Sequence, residues 1–263
     1  MAAAAADALH RADGDAGVPH SFGSNVHVLR LNAQMKTVMT NIRTSECSVE
    51  DFRFDADRIV RFVVENGLAH VPYAERTIIT PTMAEYPGLA YKTDLCGVSI
   101  VRAGESMETA LMQCCRSIRI GKILIQRDEE TAMPTLYYSK LPQDIHRRTV
   151  LLLDPMLATG GSAAKAIEVL IENGVEQSSI IFLNIISCPE GLKALTAAFP
   201  KIKIVTAEVD DHLNDKKYII PGIGDFGDRY FGTDLFDYKR ERSSVGVVAS
   251  SSPQLRDKFD RKQ

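Results

Sequence analysis

The stretch LLLDPMLATGGS, residues 151–162, sets the fold class: a short apolar run, an aspartate, and a Thr-Gly-Gly-Ser turn. The run 150–153 is too brief for a helix and has no polar alternation, as expected of a strand buried on both faces of a sheet. From Ser162 the spelling SAAKAIEVLIENG turns helical, with Ala164, Ile167, Leu170 and Ile171 on one stripe and Gly174 as the stop. The glycines therefore sit at a strand-to-helix turn. Unpaired N–H groups and the positive end of the helix dipole converge there, so the turn is suited to cradle a phosphate. An ordinary Gly-rich turn with a capping serine would be spelled in the same way. Asp154 adds an acceptor at the carboxyl end of the strand, where open α/β sheets bind ligands. A phosphate needs only donors, so the aspartate implies sugar hydroxyls or a magnesium ion beside it.

Outward from this turn, apolar runs at 95–101, 123–125, 180–186 and 202–207 alternate with helical spellings near 107–116 and 190–199. That alternation predicts an α/β fold, a mostly parallel twisted sheet with helices on both faces. Two helices precede it. One carries Leu31, Met35, Val38, Met39 and Ile42 at helical spacing, and a second runs from the start signal Ser48-x-x-Asp51 to Gly67. Residues 1–24 are rich in Ala, Gly and Asp and read as a mobile leader; 234–263 are charged and Ser-rich and read as a flexible tail. The domain is expected at 25–233.

With 263 residues, 45% of them hydrophobic, the chain can bury a large core. A net charge of −3 disfavours generic nucleic-acid binding. The five cysteines form no CxxC pair and lack metal-ligand spacing with the six histidines, which fits reduced thiols in the cytoplasm. No apolar run approaches a membrane span, and no secretory signal opens the chain.

Three further segments carry chemistry. Arg102, in VRAGESM, follows the 95–101 run, and Arg127, in LIQRDEE, follows the next one. Two guanidinium groups at the sheet edge beside a phosphate cradle suit a diphosphate. Residues 128–142 read as a protruding β-hairpin carrying Tyr137 and Tyr138, and a lid, a dimer contact and an inert excursion all fit. The stretch YIIPGIGDFGDRYFGT, residues 218–233, has glycines at 222, 224, 227 and 232 that leave backbone donors and acceptors open. In it, Ile219 and Phe226 offer apolar surfaces that could sandwich a flat base, with Asp225 among exposed amides, and a well-packed Ω-loop would be spelled in the same way.

Together, VRAGESM, LIQRDEE, DPMLATGGS and PGIGDFGDRYFGT resemble the signature segments of the uracil phosphoribosyltransferases, within the type I phosphoribosyltransferases, in order and spacing over about residues 25–233. The resemblance implies that fold with a small hood. It also implies transfer of ribose 5-phosphate from 5-phospho-α-D-ribose 1-diphosphate to N1 of uracil, giving UMP and diphosphate in pyrimidine salvage, with Mg2+ on the donor. Carried over by motif, the donor contacts fall on Arg102, Arg127, Asp154, Pro155, Met156, Leu157, Ala158, Thr159, Gly160, Gly161, Ser162 and Asp225. The uracil contacts fall on Ile219, Gly224, Asp225 and Phe226, and the catalytic set is Asp154, Arg102, Arg127 and Asp225. No protein ligand to the metal is assigned. Pro155 stands where related transferases place a second acidic residue, a departure the uracil enzymes share. Phe226 stands where many bacterial relatives carry a small residue. GTP, an activator of some relatives, is a candidate activator, and a homodimer or homotetramer is expected. Neither a nucleic acid nor a membrane is an expected partner.

Three other classes compete. An RNA-binding regulator on the same fold would need a basic stripe that is not evident. A P-loop kinase would need GxxxxGK[ST], and a dehydrogenase would need GxGxxG after a strand; neither spelling occurs.

Overall fold

The computed structural model describes residues 22–127 and 134–233, with Arg127 described by its backbone alone. Most of the expected leader, the whole tail and the 128–133 part of the expected hairpin lie outside the described residues.

The described chain runs β1 (Val26–Val28), α1 (Ala33–Arg43), α2 (Val49–Leu68), β2 (Tyr73–Ile79), β3 (Glu85–Tyr91), β4 (Leu95–Val101), a 3-10 turn at Ala103–Met107, α3 (Glu108–Cys114), β5 (Arg119–Arg127) and β6 (Pro134–Lys140). It continues with β7 (Thr149–Leu153), β8 (Met156–Leu157), α4 (Gly161–Glu172), β9 (Ile180–Ser187), α5 (Pro189–Ala198), β10 (Lys203–Val209), β11 (His212–Leu213), β12 (Ile219–Ile220) and α6 (Phe226–Phe231). The two N-terminal helices start where their caps dictate. Asn32 Oδ1 accepts the Met35 N–H at 2.9 Å and Ser48 Oγ accepts the Asp51 N–H at 3.1 Å, each satisfying a donor that the first turn leaves unpaired.

The main sheet has eight strands in the order β1-β10-β9-β7-β4-β5-β6, with β8 alongside β9. Every pairing is parallel except β5 with β6. Helices cover both faces. One apolar cluster joins the sheet to α1, α2 and α3, and a second joins it to α4 and α5. The central strands are apolar on both sides because both sides are covered: all five residues of β7 and all eight of β9 are buried. The stripe on α4 lies one position earlier than its spelling suggests. Ala163, Ala166, Ile167 and Leu170 are buried, whereas Ile171 is exposed.

From β4 the chain moves to β5 on one side, and β7 then inserts on the other side of β4. The direction of winding reverses there, so a crevice opens beyond the carboxyl ends of β4 and β7. At this edge, β11 pairs with β12 in a small antiparallel ribbon that, with α6 and the N-terminal helices, stands as the hood.

A hairpin forms where sequence places one, but it is the edge of the main sheet, with Tyr137 and Tyr138 on exposed β6. A second hairpin was not foreseen. β2 and β3 pair antiparallel from Tyr73 opposite Tyr91 to Ile79 opposite Glu85 and form a sheet of their own. Both strands are almost wholly exposed, including Ile78, Ile79, Tyr86 and Leu89.

Candidate functional site

Asp154 immediately follows β7, in the crevice where the winding reverses. It is half-buried. Desolvation pushes its carboxyl up to about 7; the Met156 N–H, donating to it, opposes the rise, and the charge of Asp225 adds to it. Segments 71 residues apart in sequence thus converge electrostatically at one point.

Beyond Asp154 the loop is not free. Pro155 O accepts the Ile185 and Ile186 N–H groups at 2.9 and 3.1 Å, and Met156–Leu157 pairs with β9. Leu157 O accepts the Cys188 N–H at 3.2 Å, and Ala158 O accepts from Cys188 Sγ at 3.0 Å. Gly191 permits this close seat, since a Cβ there would stand 2.3 Å from Ala158 O. The chain then turns through Gly160, at φ +82° as the N-cap of α4, a conformation that favours glycine. The helix opens at Gly161, whose N–H donates to Thr159 Oγ1 at 3.4 Å. A Cβ on Gly161 would meet only ordinary contacts, Pro134 at 3.6 Å and Thr159 Oγ1 at 3.7 Å. Ser162 is half-buried in the first turn. The turn is therefore closely seated at the head of a 12-residue helix, the geometry that suits an anion.

Arg102 follows β4 at the same edge. Its Nη2 donates to Asp228 Oδ1 and its Nη1 donates to Thr233 Oγ1 at 2.7 Å, with the guanidinium 5.6 Å from the Phe231 ring centroid. The residue expected to grip a diphosphate is thus already tied to the Gly-rich segment. Two glycines make that possible. A Cβ on Gly104 would lie 2.2 Å from Leu153 O, so the turn after β4 presses onto the end of β7. A Cβ on Gly227 would lie 3.1 Å from Arg102 Nη2. Arg127 ends β5 opposite Pro134, which places its backbone next to the cradle-facing start of β6; its side chain lies outside the described residues.

The Gly-rich segment is held from behind by two arginines that sequence reasoning missed. Arg43, at the end of α1, donates to Asp210 at 2.9 and 2.7 Å, to Glu208 at 2.7 Å and to Gly222 O at 3.0 Å. Asp210 in turn accepts the Gly222 N–H at 2.8 Å. Arg229 donates to Ile42 O, Thr44 O and Ile223 O at 2.6 to 2.7 Å, with its guanidinium 4.2 Å from the Phe52 ring centroid. The only cues in the sequence were the consecutive acids at 210–211 and the Asp-Arg that ends GDFGDR.

At the front of the segment, Gly224 and Asp225 are exposed, and Asp225 Oδ1 caps α6 by accepting the Asp228 N–H at 2.9 Å. The sandwich expected of Ile219 and Phe226 is corrected by their burial: they are 5% and 2% exposed and belong to the core. The Phe226 ring packs edge-on to Phe52 and stacks on Tyr230. Arg102, Asp154, the cradle, Gly224 and Asp225 thus share one crevice.

The family description that matches residues 29–233 is uracil phosphoribosyltransferase. The chain is 57% identical over 214 residues to the uracil phosphoribosyltransferase of Dictyostelium discoideum, covering 81% of this chain and 99% of the relative. It is 56% identical over 209 residues to uracil phosphoribosyltransferase 1 of Schizosaccharomyces pombe, covering 80% and 95%. Among solved structures, the AQ2163 protein from Aquifex aeolicus superposes with a TM-score of 0.71 at 30% identity, over 80% of this chain and 100% of that one.

Proposed function

The chain belongs to the uracil phosphoribosyltransferase family, and from that premise we infer that it transfers ribose 5-phosphate from 5-phospho-α-D-ribose 1-diphosphate to N1 of uracil, releasing diphosphate and forming UMP in pyrimidine salvage. The observation that carries this reading is the convergence of Asp154, Asp225 and Arg102 at the cradle. We assign residues 25–233 as the catalytic unit, with 1–24 and 234–263 outside it.

Breaking the bond between C1′ and the diphosphate oxygen leaves positive charge on the ribose and negative charge on the leaving group. Catalysis then consists of stabilising both. The amides of the 159–162 turn bind the 5-phosphate. The diphosphate is assigned to Arg102 and Arg127, and Asp154 accepts from ribose hydroxyls close to the developing cation. No side chain of this set need form a bond to C1′, and isolation of a covalent ribosyl adduct would contradict that. Among the described residues no group of three or more His, Cys, Asp or Glu side chains gathers at this crevice, so Mg2+ is assigned to the donor's diphosphate and to no protein ligand. When bound with the donor, Mg2+ supplies positive charge to the diphosphate.

Uracil presents acceptor, donor and acceptor along O2, N3–H and O4. The backbone of the exposed turn at Gly224 and Asp225 can match that order with N–H, C=O and N–H. Cytosine inverts part of the order, and a buried mismatch costs enough to support discrimination on the order of 10⁴. Comparable use of cytosine would remove the backbone-reading proposal.

A homodimer or homotetramer is supported by the β2–β3 ribbon, since an isolated two-stranded ribbon is marginally stable and this one exposes Ile78, Ile79, Tyr86 and Leu89. GTP is retained as a candidate activator. The cytoplasm accords with five free thiols, and no helix among the described residues is long and apolar enough to cross a membrane.

The test is radiolabelled uracil with the donor and Mg2+, scored for UMP, with cytosine, hypoxanthine, and uridine plus ATP as controls. UMP from uracil alone is expected. Product from uridine and ATP without the sugar donor would replace the assignment.

A further inference from the structure

Strand β9 reads IIFLNIIS, and Asn184 is the polar residue at its middle. It is fully buried, and neither Nδ2 nor Oδ1 has a hydrogen-bond partner among the described residues. An orphaned buried amide loses its hydration without recompense, a cost that leucine at the same place would avoid. Such a residue is expected where another state uses it.

Strand register identifies its neighbours. Leu153 on β7 stands opposite Leu183 on β9, and the Asp154 N–H to Leu183 O and Ile185 N–H to Pro155 O bonds carry the pairing on by a residue. Asp154 is therefore beside Asn184. Both face the same side: Val150 and Leu152 on β7, and Ile180 and Phe182 on β9, belong to the cluster under α4 and α5, and side chains alternate. On the other flank Thr206 is opposite Asn184, but its hydroxyl already donates to Glu208 O at 3.0 Å and accepts from Ser187 at 3.2 Å. Adjacent strands are about 4.8 Å apart, a gap that rotation of the Asn184 side chain can close.

We propose that Asn184 is a positioning residue for the transfer reaction: its amide turns onto the Asp154 carboxylate and holds it, as the anion, toward the ribose hydroxyls when the sugar donor is bound. This rests on the reading of Asp154 as the ribose-facing carboxylate. In the free protein the Met156 N–H donates to that carboxyl and the charge of Asp225 works against its ionisation, so a second donor is of use only when the anion is required.

The experiment compares Asn184→Leu with the unaltered full chain by steady-state kinetics across pH. The acid limb of kcat reports the complex, and that of kcat/KM for the donor reports the free protein. The kcat limb is expected to move up by about one pH unit, a roughly tenfold change in proton affinity, while the kcat/KM limb stays in place and the melting temperature does not fall. A kcat limb that does not move, or a loss of kcat equal at every pH, would overturn the proposal. Should the leucine variant not fold, Asn184→Ser gives the same readout, because its shorter hydroxyl does not span the gap. If the unaltered chain forms no UMP, the functional assignment itself fails; if it does and the limbs are unmoved, only the role of Asn184 fails.

Discussion

Replacing Asp154 with asparagine should stabilise the free protein at alkaline pH while removing its activity. The carboxyl ionises at an ordinary 3.8 in the unfolded chain and near 7 in the fold, chiefly because the fold desolvates it. Between those values the folded state keeps a proton that the unfolded state has lost. Stability therefore falls as pH rises through that window and levels off above it. At about 1.36 kcal/mol per pH unit the whole fall is about 4 kcal/mol, an upper figure because the donor-free fold can relax. Asparagine keeps the shape and has no such dependence. Urea unfolding of both proteins from about pH 4 to pH 8 should show their difference change by several kcal/mol in favour of Asp154→Asn, roughly 10 °C in melting temperature at the alkaline end. A difference that is flat across pH would mean the carboxyl titrates normally, and the account of Asp154 as a strained anion awaiting its ligand would be wrong.

Gly104→Ala should cost about 1–3 kcal/mol in denaturant melts, because its Cβ would collide with Leu153 O at 2.2 Å and part the turn after β4 from β7. Gly161→Val should leave the melting temperature nearly unchanged, since the space about that position is ordinary, yet raise the KM for the sugar donor about tenfold or more with the KM for uracil held; unchanged donor KM would remove the cradle assignment. Arg43→Met should cost about 3–5 kcal/mol by leaving Asp210, whose side chain is 5% exposed, buried without its partner. Adding Asp210→Asn should restore part of that loss, and a double variant no better than the single one would contradict the pairing.

The sheet was legible because its central strands are buried on both faces and so read as uninterrupted apolar runs, as at 95–101 and 180–186. The strand-to-helix turn at 154–162 was legible because strand, glycines and helix are contiguous. The β2–β3 ribbon was not, since neither of its faces is buried and its spelling has no reason to alternate. Phe226 misled for a related reason: an aromatic in a Gly-rich stretch looks available to a ligand, and only the packing of Phe52 and Tyr230 shows that it is used in the core. Arg43 and Asp210 were invisible as a pair because 167 residues separate them.

The anchoring of residues 218–233 also bears on how the molecule is made. The final described stretch of the chain grips Ile42, Arg43 and Thr44, while Tyr230 binds Arg53 and Asp57, so these contacts reach back across 173 residues or more. During synthesis, β4, β7 and the cradle can assemble while that stretch is still inside the ribosome, and closing so long a loop carries a slow entropic step. A nascent chain would then acquire the proposed phosphate grip before the proposed means of choosing a base.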